Sequence, residues 1–172
     1  MKTVSTRLIL VSLVLVLAGV VSSRGAIELP AGTEVTVVFE QEVSSKYVKP
    51  GDLIPIRLKG AIEVGGITVV KDGARGTARV KSVVKAGKPG KPGSVEVDLV
   101  ELLPDGSYTP EKKGQTIKLE SVHGPITAKG KGRKTLSWLF IFGLFIKGTE
   151  GVIPADLPFA ARVVEDILLV VE

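Results

Sequence analysis

The residues in this chain that could do chemistry are few, and each sits in a pattern that also has a plain structural explanation. His123 is the sole histidine and there is no cysteine. A transition-metal site would therefore rest on one imidazole and carboxylates. A nucleophilic triad would need a serine, His123 and an acid to converge on the turn His123-Gly124-Pro125. Glu40 with Glu42, and Glu96 with Asp98, are carboxylates two residues apart, which puts each pair on one face of a strand where acid and base roles could be shared. A solvated strand face produces the same spacing. The basic run Lys129-Gly130-Lys131-Gly132-Arg133-Lys134 invites a phosphate-loop reading, but that motif needs glycine where Pro125 stands and serine or threonine where Gly132 stands. The expectation is a non-enzymatic chain with no cofactor and no metal, in which His123 is a turn or surface residue.

Less ordinary chemistry lies just beyond that run. Leu136 to Ile146 is apolar apart from Ser137, and it holds the only tryptophan, Trp138, with Phe140, Phe142 and Phe145. Neither strand alternation nor a helical stripe explains a segment apolar on every side, so all of its faces require apolar surroundings. As a helix it would rise about 16 Å, too short for a hydrocarbon core of about 30 Å. Fully extended it would reach roughly 35 Å, but a barrel strand crossing an outer membrane keeps a polar side toward its lumen. Lys131, Arg133 and Lys134 precede it and Lys147 follows it. Cationic ends around an aromatic patch suit a membrane interface or an envelope protein complex, with Trp138 at the boundary and the basic residues near anionic head groups. The alternative is a central strand or plug in the domain core or in a homo-oligomer interface. Nucleic acid is not the expected partner, because the aromatic residues are packed together and not interleaved with the basic ones.

The amino terminus has the three-part layout of a secretory leader: Lys2 and Arg7, the apolar run Leu8 to Val21, then Ser22 and Ser23. The expected division is a signal peptide over 1–23 and one β-rich domain over 24–172, exported to the periplasm or associated with the outer membrane. Leu17-Ala18-Gly19 resembles the run before a lipidated cysteine, but Val20 follows, so lipidation there is excluded. An uncleaved anchor is the other reading of this run, and it is short for a transmembrane helix. About 149 residues remain, enough for one hydrophobic core, and a cysteine-free exported fold must be stable without disulfides. The whole chain carries a formal charge of +5, and losing Lys2 and Arg7 lowers it to about +3, a balance that favours an anionic surface without identifying one.

Positioning falls to strands and turns. Leu29-Pro30-Ala31-Gly32-Thr33 runs into Glu34 to Gln41, and this aliphatic–turn–strand pattern returns at Val70 to Ala78 around Gly73 and at Ile153 to Ala161 around Pro154. Glu111 to Ile117 is a weaker copy at an interval of about forty residues, within the range of internal repeats. Gly32 and Gly73 are expected in left-handed backbone conformations. Leu53 to Lys59 alternates, with Pro55 pointing to an edge strand or a bulge, and Gly65-Gly66 marks a hairpin. Gly76 to Val84 alternates over Ala78, Val80, Ser82 and Val84, and Lys85 to Gly93 is a basic hairpin loop. Val95 to Leu103, Gln115 to Val122, Phe159 to Val164 and Ile167 to Val171 complete the strands, with a turn at Pro104-Asp105-Gly106. Helical periodicity is nearly absent. The fold class is mainly β: one small barrel or sandwich of about seven to nine strands with one apolar, aromatic-rich insertion.

The order Ala31-Gly32-Thr33, Ser44-Ser45, Pro50-Gly51-Asp52, Gly66, Val70 to Gly73-Ala74, Gly76, Pro104-Asp105-Gly106 and Ile153-Pro154-Ala155 resembles the C-terminal β-barrel domain of type IV secretion and conjugal-transfer scaffold proteins. It is also similar to small exported bacterial proteins of unassigned function. The resemblance spans Ile27 to Val164. It implies a periplasmic barrel with an apolar projection that reaches the outer membrane as part of a ring, and Leu136 to Ile146 occupies a comparable late position. The chain departs from the pattern at Lys71-Asp72, where a proline-bearing turn is usual, and at Asp156, where glycine is usual. The family's inner-membrane helix and proline-rich arm have no counterpart in these 172 residues, so the expectation is not of a scaffold that joins two membranes.

If the leader is cut, the mature protein begins between Arg24 and Ile27. Intact mass of envelope material checks this, and recovery of a chain that keeps Lys2 and Arg7 would turn the leader into an anchor.

Overall fold

Alternating apolar and polar residues pair into strands along most of the chain, and the computed structural model describes residues 25–88, 90–104, 107–131 and 148–171. In chain order the strands are β1 (Ala26–Leu29), β2 (Glu34–Phe39), β3 (Val43–Ser44), β4 (Leu53–Leu58), β5 (Ile62–Val64), β6 (Ile67–Val70) and β7 (Arg75–Val84). They continue as β8 (Ser94–Leu102), β9 (Tyr108–Pro110), β10 (Ile117–Ser121), β11 (Ile126–Lys129), β12 (Val152–Ile153), β13 (Pro158–Val163) and β14 (Ile167–Val171). No helix occurs among the described residues. The expected leader, the tip Asp105-Gly106, and Arg133, Lys134 and Leu136 to Ile146 lie outside them.

Six strands close into an antiparallel barrel in the order β10, β13, β2, β4, β7, β8, and β8 returns to β10 through Leu102 opposite Ile117 and Glu101 opposite Lys118. Of the two architectures expected, the barrel is the one adopted. β10 covers only one end of β8, and β11 pairs with the other end from Val97 to Ser94. The expected seven to nine strands undercount the fold, because pieces such as β3 and β12, of two residues each, are too short to display a period of two.

One hydrophobic cluster fills the barrel and extends past it. The sheet β1-β14-β9 contributes Leu29, Ile167 and Leu169, the β5–β6 hairpin Ile62, Val69 and Val70, and the β3–β12 pair Val43 and Ile153. Phe39 and Phe159 meet edge to face, centroids 5.4 Å apart at 83°. Each fully buried aliphatic side chain stabilises the fold by about 1.5 to 3 kcal/mol, which accounts for stability without disulfides.

Two expectations are corrected by bulges and register. Pro55 is not on an edge: β4 lies between β2 and β7. It is tolerated because pairing with β2 stops at Phe39 opposite Ile56, and beyond that point only Glu40 donates to the Pro55 carbonyl, 3.2 Å. The missing N–H faces the place where β2 has already ended. Ser82 and Val84 do not continue the inward face of Ala78 and Val80. A bulge at Lys81 shifts the phase, so Val83 packs on the core while Val84 is 55% exposed. A second bulge, at Val100 on β8, moves the inward phase from Leu99 to Leu102.

The recurring turns form two-ended clamps. In Pro30-Ala31-Gly32-Thr33, Lys49-Pro50-Gly51-Asp52 and Lys71-Asp72-Gly73-Ala74, the fourth residue donates to the first carbonyl at 3.3, 3.1 and 3.3 Å. The third residue has φ of 82°, 94° and 81° respectively. Gly32 N–H then donates to Val163 while Val163 N–H donates to Thr33; Gly51 and Asp52 hold Val80 in the same way, and Gly73 and Ala74 hold Leu58. This is a glycine bulge, which feeds a left-handed residue into a ladder. Asp156, at φ 59°, donates to Phe39 at the corresponding place before β13. Ribbon β2–β13 is thus closed at both ends by Gly32 and Asp156, and ribbon β4–β7 by Gly51 and Gly73.

A β-carbon at Gly32, Gly51 or Gly73 would meet nothing within 4 Å, so the cost of a side chain there is backbone strain alone. Valine at any of the three should destabilise by about 1 to 3 kcal/mol, whereas Asp156→Gly should not. Gly76 differs: its added β-carbon would lie 2.5 Å from the Glu101 carbonyl oxygen and 3.0 Å from Ile56. Gly76→Ala should therefore destabilise by overpacking, by about 1 to 3 kcal/mol. Denaturant melts of the series check both claims, and unchanged midpoints would show the turns to be ordinary loops.

Candidate functional site

The apolar segment is rooted where the β7–β8 loop, the end of β11 and the start of β12 converge. Lys131 N–H donates to the Thr149 hydroxyl, and Thr149 N–H donates to the Lys131 carbonyl at 3.2 Å, so the chain leaves the barrel and re-enters it side by side. Below this pair, Gly93 N–H donates to Thr149 (2.9 Å), Gly130 N–H to Gly93 (2.8 Å) and Gly148 N–H to Gly87 (3.2 Å). Side chains would block such approaches. A β-carbon on Gly130 would run into Thr149, on Gly148 into Lys91, and on Gly151 into Ala128.

A polar knot holds the returning strand. Ser45, fully buried, donates from Oγ to Glu150 Oε2 at 2.7 Å and accepts from Gly151 N–H at 3.0 Å, while Ser45 N–H donates to the Gly151 carbonyl at 2.9 Å. Ala86 N–H donates to the same Glu150 oxygen at 2.9 Å. One carboxylate therefore ties β12, the β3 turn and the β7–β8 loop, in hydrogen bonds that a charged acceptor strengthens. No described side chain leaves a buried nitrogen or oxygen unpaired.

Lys46, next to the knot, donates to the Tyr47 hydroxyl at 2.9 Å, with its ammonium 4.8 Å from the ring centroid. That hydrogen bond, followed by the charges of Tyr47 and Glu150, raises the Lys46 pKa above its ordinary value. Tyr47 itself is 72% exposed.

Lys131 stands at the root, exposed; Trp138, Phe140, Phe142, Phe145, Arg133 and Lys134 lie outside the described residues. Gly32, Gly73 and Pro154 belong to the strand-end turns and not to this root. His123 is exposed in the turn before β11, beside Gly124 at φ 79°. Glu96 and Asp98 share Lys81, at 3.1 and 3.8 Å. Lys81 and Ser82 hold the Glu96 carboxyl below its usual range, and Lys81 is raised chiefly by its hydrogen bond to Glu96. Glu40 and Glu42 are exposed. No group of three or more metal-ligating side chains occurs among the described residues, and no helix among them is long and apolar enough to cross a membrane.

Sequence reasoning missed the knot. Ser44-Ser45 reads as loop and Glu150 as one more acid, although the glycines on both sides of the apolar run were a usable signal of close backbone approach. No protein-family profile matches the chain, and no curated protein matches it.

Glu150→Ala would leave the buried Ser45 hydroxyl and Ala86 N–H without their acceptor and should destabilise by about 1 to 3 kcal/mol. Gly93→Ala would put a β-carbon 2.5 Å from Ser45 Oγ and 2.7 Å from Glu150 Oε2 and should loosen the same knot. Amide exchange at Gly151, Gly130 and Thr149 should accelerate in both variants more than exchange in β2. Uniform acceleration would show that the knot has no local role.

Proposed function

We propose that this chain is a non-enzymatic, exported β-domain of the cell envelope that contacts a membrane or membrane-bound assembly through residues 136–146. The observation that carries the reading is the paired root. Lys131 and Thr149 hold the flanks of residues 132–147 together at one end of the barrel, while the barrel closes and its core packs from other strands. An aromatic, apolar sequence with basic flanks, joined to a barrel that already closes through its described strands, is suited to burial in something outside the domain. Export rests on the leader pattern at 1–23, and the scaffold-barrel resemblance agrees in placing an apolar projection late in the chain.

Replacing Phe142 and Phe145 with Ser separates an outward contact from a core segment. For an outward contact the variant keeps the wild-type melting temperature while vesicle or envelope binding falls. For a core segment it loses about 3 to 6 kcal/mol of apolar burial and unfolds or expresses poorly. A destabilised variant, together with a wild type that ignores vesicles and detergent, would overturn the proposal in favour of a soluble assembly module.

A further inference from the structure

The barrel end around the root carries a charge pattern that the linear sequence scatters over three regions. Lys85 and Lys91 flank the bridge between Gly87 and Lys91, Lys129 pairs with Ser94 at the end of β11, Lys46 follows Ser45, and Lys131 opens the root. All five are exposed. Backbone bonds bring their segments to one place: Gly93 to Thr149 and Gly130, Gly148 to Gly87, and Ser45 to Gly151. Two acids beside them are engaged, while Glu42, before β3, is exposed. Glu150 turns inward to Ser45 and Ala86, and Glu96, one step down β8, is held by Lys81 at 3.1 Å and by Ser82 at 3.0 Å. Apolar side chains open to solvent lie among the lysines: Tyr47, Val84 and Val152.

We propose that Lys46, Lys85, Lys91 and Lys129 form with Lys131 a basic collar that seats this end of the barrel on an anionic lipid surface. The proposal rests on the outward-contact reading above and adds lysines from the folded barrel to the basic residues that flank the apolar segment. Charge complementarity selects the partner. Exposed ammonium groups gathered at one end match a sheet of phosphate head groups, while Tyr47, which carries the Lys46 ammonium, and Val84 and Val152 supply the amphipathic and apolar contacts of a headgroup layer. The β7–β8 loop, which as sequence is only a basic hairpin, becomes on this view half of the docking face.

The test uses the mature chain with phosphatidylglycerol vesicles and with neutral phosphatidylcholine vesicles, at low and high salt. K85Q/K91Q/K129Q should bind the anionic vesicles about fivefold more weakly for each lysine removed, with the difference shrinking at high salt. These side chains are exposed, and the bonds that hold their segments are backbone bonds, so melting should not change. K85R/K91R/K129R should bind like wild type. So should K112Q/K113Q, whose exposed lysines lie in the β9–β10 loop toward the Leu102 end of β8. The collar is overturned if the triple glutamine variant binds like wild type, if K112Q/K113Q loses as much, or if wild type does not prefer anionic vesicles. Retention by an acidic polymer without vesicle binding would overturn it in favour of an acidic macromolecule. Loss of binding in the Phe142, Phe145 double variant alone would remove the collar and leave the outward-contact reading intact. Unfolding of that double variant would remove the outward-contact reading itself.

Discussion

Strand-end clamping by left-handed residues is the constraint on which the barrel depends. A strand in a closed sheet can slip by one residue only by exchanging its inner and outer faces, so register must be fixed where pairing begins. Gly32 with Thr33 on Val163, and Gly73 with Ala74 on Leu58, fix it through reciprocal backbone bonds that need a positive φ at the first residue. Asp side chains support the turns: Asp166 accepts from Ala31 N–H, Asp52 from Lys49 N–H and Asp72 from Gly60 N–H. Asp156 holds the fourth clamp position with a side chain, and its carboxylate meets Arg57. That exposed pair adds little stability. Asp is among the residues that tolerate the left-handed region best, which explains its standing where glycine would serve.

Inside the clamps, stability comes from apolar packing. The outer ion pairs Arg162 with Glu120 and Lys118 with Glu165 are exposed on both partners, so each contributes about 0 to 1 kcal/mol. The two bulges on β7 and β8 do more for the architecture than any surface charge. By shifting phase on both strands they bend the ribbon, turn Leu102 and Val83 to the core, and let β8 serve β10 at one end and β11 at the other.

That division of β8 creates the root. Where β10 is absent, β11 occupies the edge, and its continuation at Gly130 and Lys131 meets the returning Gly148 and Thr149. Four glycines permit the approach, and one carboxylate, Glu150, secures it to Ser45 and Ala86.

The sequence alone determined the β class, the left-handed turns at Gly32 and Gly73, and strands at Leu53 to Lys59, Val95 to Leu103 and Phe159 to Val164. A period of two and a glycine at a reversal are local properties, written in neighbouring residues. It also singled out the apolar run and its basic flanks, since composition needs no fold to be visible. Only the tertiary structure decided that the sheet closes, that Pro55 sits in an interior strand, that Val83 and not Val84 faces the core, and that Ser45 and Glu150 meet. Each of these depends on which strand lies beside which, and residues 105 apart along the chain carry no mark of their contact until barrel closure brings them together.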